Sequence, residues 1–139
     1  MLISTRGRYA LRVMIDLAEQ GQGELISMKT VSERQNISLK YLERILPALV
    51  SAGMIEGVPG KSGGYRLTGL PDQYRVGDIL RVTETDLAPV SCLAENAVPC
   101  EHKSECRTLP LWCELNRRVN EYLDSVRLSD LMRTQTQEA

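Results

Sequence analysis

Apolar positions in the first half of the chain recur at helical intervals. From Arg8 onward Ala10, Val13, Met14, Leu17 and Ala18 form one stripe, which stops at the GQG of residues 21–23. A short helix is expected next over Met28–Gln35, with Val31 inward, followed by a turn. Ser38 stands where an N-cap belongs. The run SLKYLERILPALVSAG then predicts a helix with Leu39, Leu42, Ile45, Leu46 and Leu49 inward, ended by Gly53. Pro47 lies inside it and is expected to remove one hydrogen bond and kink the helix. Two short β-like runs flank a Pro/Gly-rich tip in MIEGVPGKSGGYRLT, which reads as a hairpin.

The second half is less regular. YRVGDILRVTE predicts a short helix over 76–82. Beyond Pro110, Trp112, Leu115, Val119, Tyr122 and Val126 recur at steps of three and four, a narrow seam about two heptads long. A seam that narrow meets another helix, either the first helix of the same chain or, as expected here, a second subunit. SVRLSDLM reads as a turn and a last helix, and RTQTQEA as a frayed tail.

Helix, short helix, turn, helix and hairpin, in that order, make a winged helix-turn-helix, an arrangement that binds DNA. The fold class is therefore mainly α with a small β-hairpin wing, plus a long C-terminal dimerisation helix. Three segments are expected: a DNA-binding domain over 1–83, a cysteine-bearing loop over 84–107, and a dimerisation helix with its tail over 108–139. The second helix of the motif presents Ser38, Lys40, Tyr41 and Arg44 between its leucines, donors suited to base edges and phosphates. Lys61 and Arg66 are expected at the hairpin tip among glycines, and Arg6 and Arg8 lie near the N-terminus. Tyr41 also admits a plain reading as a half-buried core residue.

Charge agrees with this division. The formal net charge is −1, yet residues 1–66 carry 9 Lys/Arg against 6 Asp/Glu, while residues 67–139 carry 8 against 12. A mildly basic front half suits an anionic partner on one side only. Hydrophobic residues make up 42% and there is no Phe, so the core must be built of Leu, Ile, Val, Met and Ala. No apolar run reaches the roughly 20 residues that span a bilayer. The N-terminus lacks the ordered regions of a signal peptide, so a cytoplasmic protein without membrane contact is expected.

The only histidine and all four cysteines fall within residues 92–113, spaced C-x7-C-x5-C-x6-C. Structural zinc sites favour C-x2–4-C knuckles and redox dithiols favour C-x-x-C, and neither occurs. Loose spacing suits an object that ligands surround from several directions, as an iron–sulfur cluster requires. On spacing alone a cluster, zinc, a redox disulfide and simple packing all stay open. An enzyme is not expected. The chain has no Gly-rich phosphate loop, and its single His has no triad partner or companion ligands.

Taken together, STRGRYALRVMIDLA, ISLKYLERILPAL, GKSGGYRL and the C…C…C…LW loop resemble the IscR-like family of bacterial winged-helix regulators. The likeness spans nearly the whole chain. It implies a dimeric transcription regulator, with the long C-terminal helix as the interface and a palindromic duplex as the target. It also implies a three-cysteine loop holding an iron–sulfur cluster, 2Fe–2S in preference to 4Fe–4S, though some members carry none. By position, Cys92, Cys100 and Cys106 match the cysteine ligands, Ser38, Lys40, Tyr41 and Glu43 the recognition helix, and Lys61 the wing. Two departures stand out: Leu109 replaces the histidine that completes the namesake's site, and Pro59 replaces a wing arginine for which Lys61 is a stand-in. No acidic residue precedes Asp16 to act as a partner-chain ligand. Cys113, one helical turn after Leu109, is the leading fourth ligand, against a role as a small buried hydrophobe beside Trp112. His102, water, a small thiol or a partner residue are the other choices. A thiol-redox or zinc-dependent regulator on the same scaffold is the alternative reading.

Overall fold

Three serines start three helices. In the computed structural model, which describes residues 3–84, 86–95, 97, 98 and 100–133, Ser4 caps α1 (Thr5–Glu19), Ser27 caps α2 (Met28–Gln35) and Ser38 caps α3 (Leu39–Ser51). Each hydroxyl accepts a hydrogen bond from the backbone N–H three residues on, at Gly7, Thr30 and Tyr41 respectively. This satisfies a donor that the first helical turn would otherwise leave unpaired. Asn36 ends α2 in the left-handed region at φ 53°. Ile37, buried at 3% exposure, then plugs the turn between α2 and α3.

The apolar stripes meet as their spacing implies. Val13, Met14, Val31, Leu42, Ile45, Leu49, Ile55 and Ile79 are buried in one cluster, joined by the fully buried Leu128 from near the C-terminus. α3 runs from Leu39 to Ser51 with Pro47 inside it. Pro47 and Glu43, one turn apart, are both exposed, so the proline lies on the solvent side of the helix. Leu39 is not inward but 41% exposed. It lies off the centre of the buried stripe, on the flank that Glu43 shares one turn later.

The hairpin pairs β1 (Ile55–Val58) with β2 (Gly64–Leu67), antiparallel, with Glu56 opposite Arg66 and Gly57 opposite Tyr65. Arg66 is thus within a strand and not at the tip, and its Nε donates to Glu56 across the pair at 2.6 Å. Ile26 adds a bridge to Tyr65 through reciprocal bonds of 2.9 and 2.8 Å. Gly64 makes this possible: its φ is +152°, and a Cβ there would stand 2.6 Å from the Ile26 backbone. Behind the hairpin, the buried Tyr74 hydroxyl donates to the Met54 carbonyl at 2.8 Å and accepts from Gly69 N–H at 2.9 Å.

α4 (Val76–Thr83) closes the front unit, and the cysteine-bearing loop separates it from α5 (Leu109–Ser125). Among the described residues α5 has no fully buried position. It packs on α4, where Arg81 donates to Asp124 at 2.7 Å and to Asn120 at 2.8 Å. The chain then returns to the core through Val76 N–H to the Val126 carbonyl and Leu128 N–H to the Tyr74 carbonyl, both 2.9 Å. The expected last helix is a short 3-10 turn over Leu128–Leu131. The expected tail beyond 133 lies outside the described residues.

Candidate nucleic-acid interface and cysteine loop

The first turn of α3 leads the exposed surface of the front unit. Ser38, Lys40, Glu43 and Arg44 are exposed there. The Ser38 hydroxyl accepts from Tyr41 N–H at 3.1 Å, which leaves its own O–H and the oxygen's remaining capacity for other partners. Tyr41 is half-buried, its ring edge-on to Tyr9 at 5.2 Å, so the plain core reading holds for part of its surface. This contact sets the first turns of α1 beside the first turn of α3. Arg6 and Arg8 are exposed on α1, and Arg8 reaches Thr5 at 3.1 Å. Lys61 is exposed at the wing tip, as is Pro59.

Residues that position this surface went unread in the sequence. Arg12 stacks over the Tyr9 ring at 5.3 Å and donates to the Gln35 carbonyl at the end of α2. Asp16, only 2% exposed, accepts two bonds from Arg34, at 3.1 and 2.6 Å, and a third from Gln35 at 2.9 Å. The carboxylate raises the Arg34 pKa above its ordinary value, first through the hydrogen bond. Two charges and an amide therefore pin α2, and with it the turn into α3, onto α1.

The cysteine loop begins at an anchor. Glu84 caps the end of α4 and accepts from both the N–H and the hydroxyl of Ser4, at 2.9 and 2.7 Å. Leu87 is buried against Val76 and Leu80, and Asp86 accepts from Ala88 N–H at 2.7 Å and Glu95 N–H at 2.9 Å. A 3-10 turn over Ser91–Leu93 presents Cys92. Cys92, Cys100 and Cys106 line one cavity of about 280 Å³, together with Leu93, Lys103 and Leu109. All four cysteines are free thiols, with Cys106 half-buried and the others exposed. Cys106 lies 3.5 Å from the Thr108 hydroxyl at the start of α5. That hydroxyl, then the backbone N–H groups of Thr108 and Leu109, hold its pKa below the ordinary thiol value.

Cys113 and His102 are not in that lining. Leu109 borders the cavity, but Cys113, one turn on, is exposed on α5, which is also not the buried packing role beside Trp112. His102 is exposed in the loop. Among the described residues no three ligating side chains converge on a single point suited to one metal ion. The three lining thiols surround a space.

The expected seam on α5 divides between two faces. Val126 follows the helix and packs with Leu123 against Val76, Leu80 and Leu87 of its own chain. Trp112 and Val119 are half-buried. Leu115 and Tyr122, at 38% and 67% exposure, share an open stripe with Leu111, at 59%, which the seam had left out. Beside it Arg117 and Arg118 hold the Glu114 carboxyl down at about 2. No helix among the described residues is long and apolar enough to cross a membrane.

Comparison with known proteins agrees with this architecture. The Rrf2 family, described as iron-dependent transcriptional regulators, matches residues 3–134. The HTH-type transcriptional regulator IscR of Aliivibrio salmonicida is 35% identical over 132 residues, 95% of this chain and 77% of its own length. Among solved structures, IscR from T. potens superposes with a TM-score of 0.78 at 31% identity, covering all of this chain and 93% of that one. CymR, the global cysteine regulator of B. subtilis, gives 0.76 at 37% identity over 94% and 95% of the two chains. Helix order, hairpin and sequence likeness over nearly the full length together show that the chain belongs to the Rrf2 family of winged-helix transcriptional regulators, and is not an enzyme.

Proposed function

We propose that this regulator acts as a cytoplasmic homodimer on palindromic duplex DNA and senses an iron–sulfur cluster through residues 84–107. Its DNA-binding unit spans residues 1–83. One observation carries the sensing assignment: Cys92, Cys100 and Cys106, far apart in the loop, border a single cavity at the root of α5. Thiolates are the donors such clusters use, and a body wider than one ion suits thiols around a space. The three cysteines would hold the cluster, 2Fe–2S being favoured, and a bound cluster supplies a group responsive to iron supply and oxidants. The fourth ligand must come from outside the lining thiols: Cys113 after a shift of the start of α5, His102, a small molecule or the partner chain.

DNA reading is assigned to Ser38, Lys40, Tyr41, Glu43 and Arg44 on α3, with Arg6, Arg8 and Lys61 on the backbone phosphates. The open stripe of Leu111, Leu115 and Tyr122 on α5 suits a second copy of the helix, with Trp112 and Val119 at its margin. Loop and dimer helix are continuous, so a cluster that binds two loop conformations unequally shifts the spacing of the two recognition helices.

The test is purification without oxygen, followed by a visible spectrum with iron and sulfide content. Broad absorbance with near-equal iron and sulfide is expected, and iron-free protein that resists reconstitution overturns the assignment. A second reading, thiol-redox sensing, is favoured by the hydrogen-bonded Cys106 thiol and by the likeness to CymR, a cysteine regulator. Four thiols that oxidise in pairs, with no iron retained, would select it.

A further inference from the structure

Leu39 is a large apolar side chain exposed at the start of α3, among polar neighbours. It is 41% exposed, while Leu42 and Leu49 of the same helix are fully buried and Leu46 is 4% exposed. The N-cap bond from Ser38 to Tyr41 N–H holds it at the first position of α3. Its neighbours Ser38, Lys40 and, one turn on, Glu43 are all exposed. Lys40 and Arg44 make the adjoining face suited to a polyanion. In helix-turn-helix complexes the N-terminal residues of this helix meet base edges in the major groove. The apolar group presented there is the C5-methyl of thymine.

We propose that Leu39 reads a thymine methyl, and so requires a T·A pair at one defined position of each half-site. The proposal rests on the DNA-reading assignment above and adds a specificity determinant that makes no hydrogen bond. Ser38, Lys40 and Glu43 read through hydrogen bonds, whereas Leu39 discriminates by apolar contact alone. Its signature is therefore sensitivity to one methyl group with every hydrogen-bonding edge of the base pair unchanged.

Deoxyuridine provides that substitution. Duplexes preferred by the full chain, purified without oxygen, are selected from a random pool, and each thymine is then replaced singly by deoxyuridine. One thymine per half-site is expected at which wild-type affinity falls roughly three- to five-fold, the scale of one methyl group losing apolar contact. Leu39→Ala should bind the thymine and deoxyuridine duplexes equally at that position, and Leu39→Met should retain the difference. An exposed position makes both variants compatible with folding. A preferred duplex with no methyl-sensitive thymine, or a methyl effect that survives in Leu39→Ala, overturns the proposal. Failure to recover any preferred duplex overturns the DNA-reading assignment itself, and is a distinct result.

Discussion

Glu84 and Ser4 are 80 residues apart in sequence, yet one carboxylate oxygen of Glu84 accepts both the backbone N–H and the hydroxyl of Ser4. The contact is close on every side: a Cβ added to Gly7 would stand 2.2 Å from the same oxygen. Ser4 caps α1, which carries Arg6 and Arg8, and Glu84 ends α4 and opens the loop that carries Cys92, Cys100 and Cys106. The joint thus ties the start of the cysteine-bearing loop to the start of α1.

Replacing Glu84 should therefore loosen α1 as well as the loop. Glu84→Ala is expected to cost about 1–3 kcal/mol in urea denaturation, the range for a charged acceptor with two partners. Glu84→Gln keeps an acceptor oxygen and should cost about half as much. Amide exchange at Gly7 and Arg8 should accelerate in the alanine variant. Unchanged exchange there would mean that the joint does not hold α1.

Arg34 and Asp16 should not be equivalent in their losses, because their exposures differ. Arg34 is 38% exposed and can turn to water, whereas Asp16 is 2% exposed and cannot. Arg34→Ala leaves a buried carboxylate with Gln35 alone and is expected to cost about 2–3 kcal/mol, below the value for a fully buried pair. Asp16→Asn keeps one oxygen for Arg34 Nε and Gln35 but sets an amide NH2 against Arg34 Nη2, which can turn to water, and should cost about 1–2 kcal/mol. Equal losses in urea titrations would contradict this asymmetry.

Legibility in the sequence followed the range of the interaction. The stripe from Ala10 to Ala18 and that from Leu42 to Leu49 are local periodicities, and both became buried helix faces. Asp16 lies within the first stripe, and its partners Arg34 and Gln35 are 18 and 19 positions away, so no local pattern marks it as buried. Val126 kept the spacing of the seam but fell one residue past the helix, where the chain turns back to Val76. Arg66 read as part of the hairpin tip because turn residues fill 59–64, while strand register alone decides that it faces Glu56. The cysteines show the same limit. Their spacing left a cluster, zinc, a disulfide and simple packing open, and only the folded loop separates Cys92, Cys100 and Cys106 from Cys113.

The link between α4 and α5 should weaken in acid. Arg81 holds the Asp124 pKa below the ordinary carboxylate value, through a hydrogen bond first and charge second. A lowered folded pKa means that the pair stabilises fully above the unfolded value of roughly 3.9. That stabilisation is then lost as pH falls through the lower folded value. Asp124→Asn should therefore flatten the fall in urea midpoint below about pH 4, with a difference at neutral pH within about 1 kcal/mol. An acid limb as steep in the variant as in the parent would assign the loss to other carboxylates.

The reduced, metal-free protein should show a thiol whose reactivity depends on one hydroxyl. Cys106 is lowered chiefly by Thr108, with backbone N–H groups at the start of α5 adding to it. Alkylation proceeds through the thiolate, so at a pH below the pKa its rate follows the ionised fraction. Thr108→Val keeps the shape and removes the donor. It should slow modification of Cys106 by iodoacetamide at pH 7, move the midpoint of its pH–rate curve upward, and leave the limiting rate at high pH nearly unchanged. Peptide mapping after brief labelling reads this out at Cys106 separately from the other three cysteines. A fall in rate that persists at high pH would point to altered access at the root of α5, and no change at all would remove Thr108 from the control of this thiol.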